Sequence, residues 1–279
     1  MNKSGLPNRL PLLNESKEAI NESQHFTQII GGLEQDAFYK FPWLKSADFE
    51  NAVINIEGKE LIWLDGTWLD GEWESGIWKA GNWLNGTWFT GIWESGTWES
   101  GTWEAGKWKA GNWLGGDWLN GIWESGIWVN GTWSDGLWKS GTWESGEWVD
   151  GEWKDGKWLN GTWKKGVWTK GVWSDGVWGE GIWLNGTWES GIWKDGVWRE
   201  GTWQYGYWET GEWNHGRWED GSWLDGEWAG GTWHNGIWEY GVWKEGTWEN
   251  GMWNGGIWED GTWQSGKING NSSTTPPIS

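Results

Sequence analysis

Few side chains in this sequence could do chemistry of their own. Tyr205, Tyr207, His215, Arg217, His234 and Tyr240 interrupt an otherwise narrow alphabet towards the C-terminal end. Tyrosine, arginine and histidine are favoured recognition residues, so this set is a candidate interface. His215 and His234 are nineteen residues apart; without further ligands they fall short of a metal site. A second candidate lies in the middle of the chain. No acid occurs from Gly156 to Ser174, Lys157, Lys164, Lys165 and Lys170 gather there, and Val167, Val172, Val177 and Ile182 follow one another at five-residue intervals. An aliphatic set beside a basic belt could dock a partner or pack copies of the chain side by side. Carboxylates such as Glu94 and Glu99 recur throughout, but repetition in open solvent offers no burial with which to separate two pKa values. With no cysteine, no matched nucleophile and base, and glycines at the wrong spacing for a phosphate loop, neither an enzyme nor a cofactor is expected.

What positions these side chains is a repeat. From Gly66 to Ser265 the chain is forty consecutive copies of Gly-Xaa-Trp-Xaa-Xaa, with no insertion and no lost tryptophan. A period of five fits neither a helix nor an open strand, so each unit must be one small piece of a repeating coil. The third position is always Trp, the fourth is Glu or Lys in about half the units, and the second mixes Thr, Ile, Val and Glu. Tryptophan therefore faces in, and its two neighbours face out. Nineteen of the forty fifth residues are Asp, Asn or Gly and eight more are Ser, which places a corner there. The following glycine supplies the positive φ of a type II turn.

Two stackings compete. In an antiparallel meander with two-residue turns, the residues flanking each turn pair with the next strand at one end and the previous strand at the other. A three-residue strand cannot satisfy both without a bulge in every unit. A parallel solenoid has no such conflict, and it is the expectation; the bulged antiparallel β-meander is the alternative.

Ala47-Asp48-Phe49-Glu50-Asn51 and, more loosely, Ala52-Val53-Ile54-Asn55-Ile56 match the Ala-(Asp/Asn)-(Leu/Phe)-Xaa-Xaa consensus. In this the chain resembles the pentapeptide-repeat family. Carried over, the small inward residue falls on Ala47, Ala52 and then the glycines from Gly66, and the central apolar residue on Phe49, Ile54 and then the tryptophans. The resemblance implies an all-β fold: a right-handed, four-sided parallel β-solenoid of about twenty residues per coil. Forty units would make ten coils and a rod of about 50 Å at roughly 4.8 Å per coil. On that coil Val167, Val172, Val177 and Ile182 would ring one turn, one to each side, and His215 and His234 would lie close together. Bacterial and tailed-phage proteins with tandem Gly-Xaa-Trp units are similar too and bring no activity.

The expected organisation is a cap or anchor over residues 1–46, the solenoid over 47–268 and a polar tail over 269–279. In the first region Asn14 starts a polar helix to about Gln24, and Leu33, Ala37, Phe38 and Phe41 mark a second amphipathic segment ending at Pro42. Phe38, Phe41, Trp43 and Leu44 are the expected cover for the first coil.

Charge narrows the function. Between Gly66 and Ser265 there are 30 Asp or Glu against 13 Lys or Arg, a net of −17. So acidic a surface is expected to keep an aromatic protein in solution and not to bind nucleic acid directly. It could instead imitate nucleic acid. Some pentapeptide-repeat proteins do this to DNA gyrase, although their dimerising C-terminal helix has no counterpart here. No apolar run is long enough to span a membrane, and the start lacks the apolar core of a signal peptide; synthesis in the cytoplasm is expected. The function expected is a non-enzymatic structural or protein-interaction rod, of a virion or a surface, working with a protein partner or further copies of itself. An acidic nucleic-acid mimic is the alternative.

Overall fold

Each unit contributes a two-residue strand such as Ile127–Trp128, and each strand pairs in parallel with the strand fifteen residues on: Ile127 with Thr142, Trp128 with Trp143. A computed structural model of the chain describes residues 24–277. The same register holds from Trp63 to Trp263. The solenoid and its parallel stacking are therefore as expected, and the meander is excluded. The four-sided coil of twenty residues is not: three units close each coil, giving a triangular rod of about 14 coils. At about 4.8 Å per coil it is about 65 Å long.

The indoles explain the triangle. Successive tryptophans meet edge to face, with ring centroids 5.9 Å apart and planes at 73° for Trp128 and Trp133. Three such contacts close around the axis, whereas four rings at the same contact distance would leave an apolar hole on it. Between coils the rings stack, 4.8 Å and 6° for Trp128 on Trp143. The tryptophans of the coils are buried.

Two backbone hydrogen bonds per unit tie each coil to the one before. Thr142 N donates to Gly126 O at 3.0 Å, and Glu144 N to Trp128 O at 2.7 Å. Coils approach so closely at the corners that only glycine fits. A Cβ on Gly126 would lie 2.4 Å from Gly111 O, and its φ of +130° is closed to other residues in any case. The positive φ was expected, but it exceeds the roughly +80° of a type II turn. Fifth-position side chains complete the corners: Asp150 Oδ1 accepts from Gly151 N at 2.8 Å, and Ser145 Oγ donates to Val129 O at 2.9 Å.

The indole N–H groups needed an acceptor, and a corner carbonyl was the expected one. Where a bond forms, that is the partner: Trp178 Nε1 donates to Asp195 O at 3.2 Å, and Trp218 Nε1 to Asn235 O at 3.1 Å. Most of the other indole nitrogens are buried without a hydrogen-bond partner.

The first coil is closed by a different kind of structure. Strand β1 (Gln24–Ile30), helix α1 (Glu34–Lys40) and a 3₁₀ turn (Pro42–Ser46) lead into β2 (Asp48–Glu57), which pairs antiparallel with β3 (Glu60–Asp70). The second amphipathic segment is thus α1. The polar helix expected from Asn14 falls outside the described residues, and Gln24 itself opens a strand. Ala47–Ile56 was expected to be coil; it is the outer arm of a hairpin turning at Gly58. Its inward residues are nonetheless the expected ones, since Ala47, Phe49, Ala52 and Ile54 are all buried. Phe41, Trp43 and Leu44 are buried as cover, and Phe38 packs against them partly buried.

The tail is also more ordered than expected. Gly266–Ile268 pairs in parallel with Met252–Trp253, then turns through Asn269 and Gly270 so that Asn271–Ser273 returns antiparallel.

Candidate interaction surface

Fifteen residues per coil sort the outward side chains into three faces. One face begins with Thr67 and carries threonine repeatedly, as at Thr142, Thr187 and Thr202. The second begins with Glu72 and is mixed. The third begins with Ile62 and runs through Ile77, Ile92, Ile122 and Leu137, interrupted by Lys107 between Ile92 and Ile122. Beside this aliphatic column lies a ladder of opposite charges. Lys79 and Lys109 both donate to Glu94 at 2.8 Å, and Lys107 and Lys139 reach Glu124 at 3.0 and 3.2 Å. The bond from Lys109, then that from Lys79, holds the Glu94 carboxyl below the usual range, and Lys107 does most to lower Glu124. Eight of the 13 basic residues between Gly66 and Ser265 belong to this third face, so the net negative charge sits mainly on the other two.

The four lysines of the basic belt fall within one fifteen-residue coil and spread over its three faces. Lys157 is on the first face, under Val172, while Lys164 and Lys165 are on the second and at its corner; Lys170 is at the corner of the third. Carboxylates of the preceding coil meet them: Asp150 lies 3.0 Å from Lys165 and Asp155 lies 2.9 Å from Lys170, and Glu147 pairs with Lys164. Val167, Val172 and Val177 take one face each of a single coil, and Ile182 stacks on Val167. The ring therefore has three members, not four.

The aromatic and histidine set is dispersed as well. Arg217 and His234 share the first face, where Arg217 pairs with Glu219 and holds its carboxyl low, and His234 Nδ1 lies 2.5 Å from Glu249. Tyr207 is on the second face; Tyr205 and Tyr240 project from two different corners, both strongly exposed. His215 sits at the corner below Gly230. With fifteen residues per coil, its nineteen-residue separation from His234 carries it to the opposite edge of the first face, so the two are not neighbours. No cluster of three His, Asp or Glu able to hold a metal occurs among the described residues.

Surface hollows are shallow. One of about 420 Å³ forms at Gly179, the only glycine at a fourth position, between Lys164 and Lys194. It lies open to solvent, without the enclosure a small-molecule site needs. Two features escaped the sequence analysis: the Lys79–Glu94–Lys109 ladder, signalled only by a fifteen-residue alternation, and the last coil's strands Ile257–Trp258 and Thr262–Trp263, which pair only with the preceding coil among the described residues. No helix among the described residues is long and apolar enough to cross a membrane.

No family model matches the chain, and no curated protein or solved structure is significantly similar to it.

Proposed function

We propose that the protein is a non-enzymatic, rigid rod that acts as a structural or protein-interaction element, a component of a larger assembly such as a virion or a surface. The observation that carries this is the unbroken register of about 14 coils around a sealed indole core. Such a core has no room for substrate, and its close packing transmits force and position along the axis. The site chemistry agrees. Glu94, Glu124 and Glu219 all depart downward from ordinary carboxyl behaviour, towards permanent ionisation and away from a general acid. Tagged protein expressed in its native source should co-purify with an assembly in salt-resistant fashion. Recovery of the protein alone, under conditions that preserve assemblies, would count against this reading.

The acidic mimic is the second reading, favoured by the concentration of charge on two faces. The triangular coil weakens it by lengthening the rod. A net of −17 over about 65 Å is one charge per about 4 Å, against about 1.7 Å for duplex DNA. Capture of a DNA-handling protein that duplex DNA displaces, with steep salt dependence, would establish the mimic in place of the rod.

A further inference from the structure

We propose that the C-terminal end of the rod is a docking edge, and that its occupant is an extended segment of a partner protein added as one more parallel strand over Gly256–Trp258 and Gly261–Trp263.

Throughout the rod, the carbonyls of each unit's glycine and tryptophan accept from the coil that follows. Ile257 N donates to Gly241 O at 2.9 Å, and Glu259 N to Trp243 O at 2.8 Å. Among the described residues after Trp263, only the second face continues, through Gly266–Ile268. On the third and first faces Ile257–Trp258 and Thr262–Trp263 pair only with the preceding coil among the described residues. Gly256, Trp258, Gly261 and Trp263 thus present a row of strand-edge carbonyls.

Exposure marks the same edge. Gly256, Gly261 and Thr262 are exposed, where glycines along the rod are mostly half-buried, and Ile257 reaches 52 %. The indoles beneath are not the vacancy, since Trp258 and Trp263 are only 6 % and 8 % exposed. Ile268 packs on the core, and Trp263 Nε1 donates to Ser273 O at 3.3 Å. The core is covered while the wall is open, which is the condition for strand addition.

The edge dictates its occupant. N–H groups are needed two residues apart, at the second and fourth positions of a unit. Glycine is needed at the corner, because a Cβ there meets the carbonyl below at about the 2.4 Å seen for Gly256 over Gly241. The inward side chain must be short enough to clear Ile268, and a lysine at the fourth position would answer Glu259. A second copy of this rod does not qualify through its first coil, where β2 already pairs with β3.

The inference deepens the rod reading by naming the end that takes the partner. Its test reads the edge itself, whatever the co-purification shows. The full-length protein would carry a fluorophore at Gln264→Cys, exposed beside the edge, or, separately, at Glu99→Cys in the middle of the rod. The probe is the decapeptide Gly-Ile-Val-Lys-Asn-Gly-Thr-Val-Lys-Ser with an N-terminal quencher. Saturable quenching is expected at position 264 and not at 99. Proline in place of Ile and Thr removes the two second-position N–H donors, and should weaken binding at least tenfold. No saturation at millimolar peptide, equal quenching at both positions, or equal binding of the proline peptide would overturn the proposal.

Discussion

The two ends of the rod finish the same indole columns in different ways. At the start, aromatic residues from a non-repeating segment continue the columns. Phe49 stacks on Trp68 at 6.0 Å and meets Trp63 edge-on, and Trp43 lies 5.1 Å from Trp73. The backbone edge is closed too, by β2 on two faces, with the 3₁₀ turn packed against Glu72–Trp73 on the other. At the other end the hairpin covers the indoles with Ile268 and Ser273 and pairs on one face only. The comparison separates two tasks of a cap, sealing an apolar interior and satisfying a strand edge. The N-terminal end does both; the C-terminal end does mainly the first.

Backbone changes should break this comparison most severely. Gly126→Val places a β-branched side chain at φ +130° and against Gly111 O, and is expected to cost at least about 4 kcal/mol. Gly58, in the hairpin turn of the N-terminal end, has φ +64° and open space around it; Gly58→Ala should cost about 1 kcal/mol. Chemical denaturation of both variants checks the contrast, and equal losses would mean that coil contact does not set the corner. Next in size, Trp43→Ala should cost about 3 to 5 kcal/mol. Ile268→Ala, at a half-buried position, should cost about 1 to 2 kcal/mol. Hydrogen exchange then sharpens the point: amides of the last coil should exchange faster than those of the first in the parent protein, and Trp43→Ala should reverse the order.

The ion ladder gives the smallest effect. Glu94→Gln should cost about 0.5 to 1 kcal/mol at pH 7, as partly exposed pairs do. The Glu94 carboxyl is lowered in the folded protein, so its contribution is present above the unfolded carboxylate range and is lost as pH falls through the folded value. The variant and the parent should therefore converge in acid, and Tm measured against pH would show it.

Inward tryptophan, corner glycine and parallel stacking were all legible, because each follows from the unit itself. The number of sides was not, since identical units pair Gly on Gly and Trp on Trp at fifteen residues as well as at twenty. Only the outward letters broke the tie. Lys79, Glu94, Lys109, Glu124 and Lys139 alternate in charge at fifteen-residue steps, a pattern without meaning at twenty. The segment Ala47–Ile56 misled for a related reason: alternation about a strand puts Phe49 and Ile54 inside whichever way the strand runs. Because the surface sites were placed on twenty-residue coils, the pairing of His215 with His234 failed with the coil.

The indole columns also have an optical consequence. Rings stacked at 4.8 Å and 6°, as Trp128 on Trp143, and meeting edge-on within each coil, are close enough for excitation to migrate among them. Absorbed ultraviolet light would travel along the rod before emission. Fluorescence should be strongly depolarised even in a rigid glass, and a single quencher near one end should darken many more indoles than it touches.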